Sequence, residues 1–346
     1  TANTALATGG SNVNQGTALY AVACPNGEYK GTTVTQDCQD VPNGSFGSAD
    51  AGTSHASSAA TSAVQCPNGT FSTNGTGACT DVDAGKQAVN AASTPVYVAI
   101  GAVAQQACTV GYYNLNGSGP CAAVSAGYVS RTANTALATG GSNVNQGTAL
   151  YAVACPDGEY KGTTVTEDCQ DVDAGKQAVN AASTPVYVAI GAVAQQACTV
   201  GYYNLNGSGP CAAVSAGYVS RTANTALATG GSNVNQGTAL YAVACPNGEY
   251  KGTTVTEDCQ DVDAGKQAVN AASTPVYVAI GAVAQQACTV GYYNLNGNGP
   301  CAAVSAGYVS RTANTALATG GSNVNQGTAL YAVACPNGEY KGTTVT

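Results

Sequence analysis

Residues 173–262 reproduce residues 83–172 except at one position, where Asp157 becomes Asn247. A third copy starts at Asp263, and in it Ser208 has become Asn298. Repetition this faithful specifies an array of small units that stack on their neighbours, not one large core. Catalysis needs one pocket where unlike groups converge, whereas an array presents the same surface again and again. The period therefore points to length, stiffness or multivalency and away from an enzyme.

The cysteines divide the period further. Fifteen are present, in close pairs separated by 13 or 14 residues, with 28 to 34 residues between pairs. Local pairing predicts seven disulfides: Cys24–Cys38, Cys66–Cys79, Cys108–Cys121, Cys155–Cys169, Cys198–Cys211, Cys245–Cys259 and Cys288–Cys301. The other connectivity, second cysteine of one pair to first of the next, is an alternative that the sequence leaves open. Cys335 is left over, and by the repeat its partner falls at position 349, beyond the last residue. The chain thus looks like a window onto a longer repeat protein. A loop of about 15 residues closed by a disulfide gains roughly 3 kcal/mol in the chain-entropy model. That matters in units too small to bury much surface. Dense disulfides imply an oxidising, extracellular or cell-surface location.

Each pair carries the same local pattern: Cys, two residues, Gly, one residue, then Tyr or Phe. A valine follows three residues after the second cysteine, at Val41, Val82, Val124, Val172, Val214, Val262 and Val304, and a glycine three residues later. The structural unit is therefore a half-period, and the 90-residue block pairs two diverged versions. On this basis residues 1–41 are a partial repeat of the second type and 42–82 a diverged extra half-unit. Residues 83–172 and 173–262 are full repeats, and 263–346 are an incomplete one.

Cys24-Pro25-Asn26-Gly27 and Asn116-Gly117-Ser118-Gly119-Pro120 carry turn chemistry. Leu150–Cys155 and Val186–Val193 are rich in β-branched and aromatic residues and lack a helical stripe. Pro95–Ala104, the longest apolar run, reads as a buried strand. Asn, Thr and Gly argue against a helix in the Ala-rich tract 132–139. The expected fold is all-β, with turn-rich, disulfide-stapled repeats stacked head to tail into an elongated rod.

Composition narrows the partners. Charged residues make up 8% of the chain and net charge is −8. No basic patch is available to neutralise phosphates, which excludes nucleic acid. No apolar run approaches the roughly 20 residues of a membrane helix. Cofactors are not called for, and copies of the chain itself are the natural partner, as a homopolymer or lateral assembly.

The motif Cys155-Pro156-Asp157-Gly158-Glu159-Tyr160, followed by Cys169 and Gly175, resembles the cysteine-rich repeats of ciliate surface proteins, the immobilisation antigens. A looser similarity extends to growth-factor-receptor-like repeats. Those families carry Cys-x-x-Cys where this chain has Cys169-Gln170-Asp171-Val172. The resemblance implies an abundant cell-surface coat that is lipid-anchored or assembled.

Three sets of residues invite chemistry. Glu167, Asp168, Asp171 and Asp173 cluster around Cys169, and hard oxygens beside a turn suit Ca²⁺. The plainer reading is a solvated acidic loop. Asn43, Asn68, Asn74, Asn116 and Asn206 begin Asn-x-Ser/Thr acceptors in Gly-containing turns, hence glycan sites on a secreted chain. The substitution to Asn298 removes the acceptor at Asn296. The pairs Tyr112/Tyr113, Tyr202/Tyr203 and Tyr292/Tyr293 are expected to supply core or inter-unit packing. His55, the only histidine, has no evident nucleophile to serve. The expected function is structural, a glycosylated extracellular rod or filament. The alternative is a multivalent adhesion or ligand-binding protein, with Ca²⁺ assisting.

Overall fold

A computed structural model of the chain describes residues 4–10, 12–50, 52 and 54–344. Among the described residues the regular elements are strands of two or four residues, paired two by two, and no helix forms. The chain divides into two compact units, Thr1–Gln170 with Ile190–Val193 and Asp171–Ala189 with Ala194–Thr346. Each is built from the same half-units.

A half-unit consists of a hairpin, a disulfide loop and a short ribbon. In residues 83–124, strand Lys86–Val89 pairs antiparallel with Ala104–Ala107, in a register that sets Lys86 opposite Ala107. Cys108 and Cys121 then close a loop, with Cα atoms 5.6 Å apart. Inside it Tyr112–Tyr113 pairs with Ala122–Ala123. The second type of half-unit repeats the plan, with Tyr218–Arg221 on Tyr241–Ala244, then Cys245–Cys259, then Glu249–Tyr250 on Gln260–Asp261. All seven local pairs form disulfides, and Cys335 is free.

The turn that starts the first ribbon places its proline at the first position. Pro25 accepts the closing hydrogen bond from the Glu28 amide at 3.1 Å, which makes it the first residue of the turn. Only Gly27 takes a positive φ, +86°.

The core of a half-unit is small. Val82, Ala88 and Ala102 are buried together, with Phe71 and Val98 packed against them. The valine after each second cysteine is at most 5% exposed in all seven half-units. A two-stranded hairpin over so few apolar side chains is marginal alone. The disulfide and the contacts with the next half-unit must supply the remainder.

One element departs from expectation. Pro95–Ala104 is not a buried strand: Val96 and Ile100 are 53% and 60% exposed, and residues 95–103 form an irregular loop that leads into the strand at Ala104. Asn90 organises it, since its Oδ1 accepts from the Val96 amide at 3.1 Å. Proline brings no amide, so the run cannot begin as a regular ladder. Only Val98 and Ala102 turn inward; the corresponding segment 186–193 behaves alike, with Val186 and Ile190 exposed.

Candidate functional site

The most regular feature of the molecule is the joint between consecutive half-units. The aromatic residue five after each first cysteine forms a parallel bridge to a buried alanine in the next half-unit. The pairs are Tyr29–Ala60, Phe71–Ala102, Tyr113–Ala149, Tyr160–Ala192, Tyr203–Ala239, Tyr250–Ala282 and Tyr293–Ala329. Each alanine is at most 3% exposed. The carbonyl of each first cysteine accepts a hydrogen bond from the residue just before that alanine. For Cys66 the donor is Gly101 at 2.9 Å, for Cys108 Thr148 at 2.9 Å, and for Cys155 Gly191 at 2.8 Å. The donor residue is left-handed every time, whether glycine (Gly191, φ 67°), threonine (Thr148, φ 53°) or, at the first joint, alanine (Ala59, φ 55°). The joint is also tight: a β-carbon on Gly127 would collide with the carbonyl oxygen of Gly191.

The Tyr pairs take the inter-unit role. In Tyr112-Tyr113 both side chains are half-buried, and Tyr113 makes the bridge to Ala149.

Beside the joint, the second type of half-unit folds its Asn-rich loop over a buried polar cluster. Glu159, 1% exposed, accepts from Asn143 Nδ2 at 2.7 and 2.8 Å and from the Gly140 amide at 3.2 Å. Asn145 accepts from the Ser130 amide at 2.8 Å through Oδ1. Lys161, fully buried, lies two residues beyond Glu159. In the first type of half-unit Asn114 does comparable work, taking the Gly117 amide at 3.1 Å and donating to the Lys86 and Gly119 carbonyls. None of these residues was singled out from sequence. The available signal was the doublet Asn143-Val144-Asn145 and a Glu and Lys two apart in a chain with only 8% charged residues.

The acidic residues around Cys169 do not act as one group. Asp168 Oδ1 accepts from the Asn145 amide at 2.7 Å, while Asp173 Oδ2 holds Lys176 Nζ at 2.7 Å and Gln195 Nε2 at 2.9 Å. Asp171 is exposed in its strand, and Glu167 is half-buried. Among the described residues no group of three or more His, Cys, Asp or Glu side chains converges. Asp168 and Asp173 are thus drawn to separate donors. The Lys176 ammonium, with help from the Gln195 amide, holds the exposed Asp173 carboxyl below its ordinary pKa; Lys86 does the same for Asp83, and Lys266 for Asp263.

The acceptor asparagines all lie on the surface: Asn43, Asn68, Asn74, Asn116 and Asn206 are exposed. Asn68 Oδ1 takes a hydrogen bond from the Tyr97 hydroxyl at 3.0 Å, and Asn116 Oδ1 takes the Ser118 amide at 3.1 Å. His55 Nε2 sits 3.3 Å from Asn26 Oδ1. Among the described residues no helix is long and apolar enough to cross a membrane. Seven regularly spaced disulfides suit a secreted, extracellular chain. Comparison of the sequence with protein-family models and with curated proteins finds no match.

Proposed function

We propose that this chain is the repeat region of an extracellular structural protein, which extends as a rod and assembles with copies of itself into a filament or cell-surface coat. The observation that carries the reading is the joint. The same cysteine-carbonyl hydrogen bond and aromatic–alanine bridge recur at seven successive half-units. Each half-unit therefore needs only its neighbour, the condition under which an array grows without limit.

Two surface features support assembly. Val186 with Ile190, and Val276 with Ile280, are more than half exposed at the same place in successive repeats. Self-association would bury these apolar side chains. The exposed acceptor asparagines would carry glycans that keep a chain with 8% charged residues solvated. Such a coat also agrees with the resemblance to ciliate surface repeats.

Electron microscopy of native material tests the proposal. Fibres or sheets with an axial spacing set by the 90-residue block are expected. Dispersed compact particles at every concentration would contradict it.

A further inference from the structure

Lys161 and Lys251 are 0% and 1% exposed, and neither Nζ has a hydrogen-bond partner. A buried ammonium without partners is among the most costly groups a fold can hold. Burial is the main influence on both amines and holds them below the ordinary lysine range, although Glu167 and Asp168, or Glu257 and Asp258, pull the other way. The uncharged amine is the nucleophilic form.

Asn145, held against the same Glu167 and Asp168 that act on Lys161, supplies an electrophile. Asn145 Oδ1 accepts from the Ser130 amide at 2.8 Å, while the Ser130 hydroxyl, 3.2 Å away, gives its one proton to the Gln146 carbonyl at 2.8 Å. This backbone donor polarises the carboxamide and would stabilise an oxyanion there. Asn145 Nδ2 donates to the Glu167 carbonyl and lies 3.4 Å from Asp168 Oδ1. In the next copy Asn235 Oδ1 takes the Ser220 amide at 2.8 Å, and its Nδ2 is 3.3 Å from Asp258 Oδ1.

The equivalent lysine in the first half-unit shows where the amine goes. Lys30 Nζ donates to Asn14 Oδ1 at 3.4 Å. Lys30 and Asn14 line one cavity of about 410 Å³, and Lys341 and Asn325 line another of about 360 Å³. In the interior copies Ser130 and Ser220 occupy that asparagine oxygen, and the amine is enclosed without a hydrogen bond.

We propose that Lys161 and Asn145, and likewise Lys251 and Asn235, close into intramolecular isopeptide bonds. The lone pair of the neutral Nζ attacks Asn145 Cγ, and the tetrahedral oxyanion faces the Ser130 amide. Asp168 takes the proton from the attacking nitrogen and delivers it to Nδ2. The Cγ–Nδ2 bond breaks, ammonia leaves, and a secondary amide remains. No oxidant, metal or second molecule enters the balance. The bond removes the buried amine and ties the Asn-rich loop to the ribbon strand. It stands whether or not the chain assembles.

Intact-mass measurement of the folded, purified chain tests this. The expected value, after the disulfide hydrogens are counted, is lighter than the sequence mass by two ammonia molecules. Lys30, half-exposed, stays free. Proteolysis should yield branched peptides, with Asp157 marking the Lys161 linkage and Asn247 the Lys251 linkage. Lys161→Met should reduce the deficit to one ammonia. Asp168→Asn should keep both reacting groups and slow closure at that pair alone. Should either variant fail to fold, the wild-type mass still decides. The full sequence mass overturns the proposal, and so does a deficit of water in place of ammonia, which would put the bond on a carboxylate.

Discussion

The carbonyl oxygen of Cys155 accepts a hydrogen bond from the amide of Gly191 at 2.8 Å, so the same residue that staples one half-unit also receives the next. The disulfide holds the strand that presents this carbonyl, and the left-handed Gly191 aims its amide at it. Stapling and stacking are thus one mechanical element.

The donor position gives the first prediction. Gly191→Ala meets only ordinary contacts, its β-carbon lying 3.7 Å from the Tyr128 ring, but the residue must keep a φ of 67°. A loss of about 1 kcal/mol is expected from backbone strain. Thr148 already sits at φ 53°, so Thr148→Gly should gain on the order of 0.5–1 kcal/mol. Denaturant midpoints measured on the two variants should move in opposite directions.

Gly127 differs, because there the obstacle is backbone. Gly127→Ala would push a β-carbon into the Gly191 carbonyl. The expected cost is about 2–3 kcal/mol. Hydrogen exchange should report it at this joint and leave distant joints protected.

Removing a staple should act locally. Cys155→Ser with Cys169→Ser is expected to cost about 3 kcal/mol. In a linear array the loss falls on that half-unit and its neighbours. Exchange protection should collapse around Glu159 and persist near Cys66.

The buried glutamate carries a separate expectation. Glu159→Ala leaves the Asn143 amide and the Gly140 amide without their acceptor. A loss of about 1–2 kcal/mol is expected in thermal or denaturant unfolding, because the buried Asn143 amide keeps only the Ala138 carbonyl, while the exposed Gly140 amide can turn to water.

Acid should loosen the hairpin starts. The carboxyls of Asp83, Asp173 and Asp263 are held below their ordinary range, first by hydrogen bonds from Lys86, Lys176 and Lys266. Depressed folded-state values mean that the stabilisation is present above the unfolded carboxylate pKa and disappears as pH falls through the folded one. These groups are exposed, so the effect should be small and weaken with salt. Nuclear magnetic resonance titration of the three carboxyls checks the direction.

The cysteine spacing and the Cys-x-x-Gly-x-aromatic pattern were enough to place the staples, the half-unit and the buried valines, because covalent closure and turn chemistry act over a few residues. The partner of the motif's aromatic was not legible, since Ala149 lies in the next half-unit and alanine gives no local signal. Pro95–Ala104 misled for the converse reason: its hydrophobicity suggested burial, while Asn90 and the proline fixed a loop that leaves Val96 and Ile100 outside. The Asn143–Glu159 and Asn145–Asp168 contacts join residues 16 and 23 positions apart, beyond the reach of any periodicity.

The central claim is that half-units add in line, each resting on its neighbour. Small-angle X-ray scattering of versions of the chain with one, two and three 90-residue blocks tests it most directly. The maximum dimension should grow by an equal increment with each added block. Growth of the radius of gyration as roughly the 0.38 power of chain length, the behaviour of a compact globule, would contradict it.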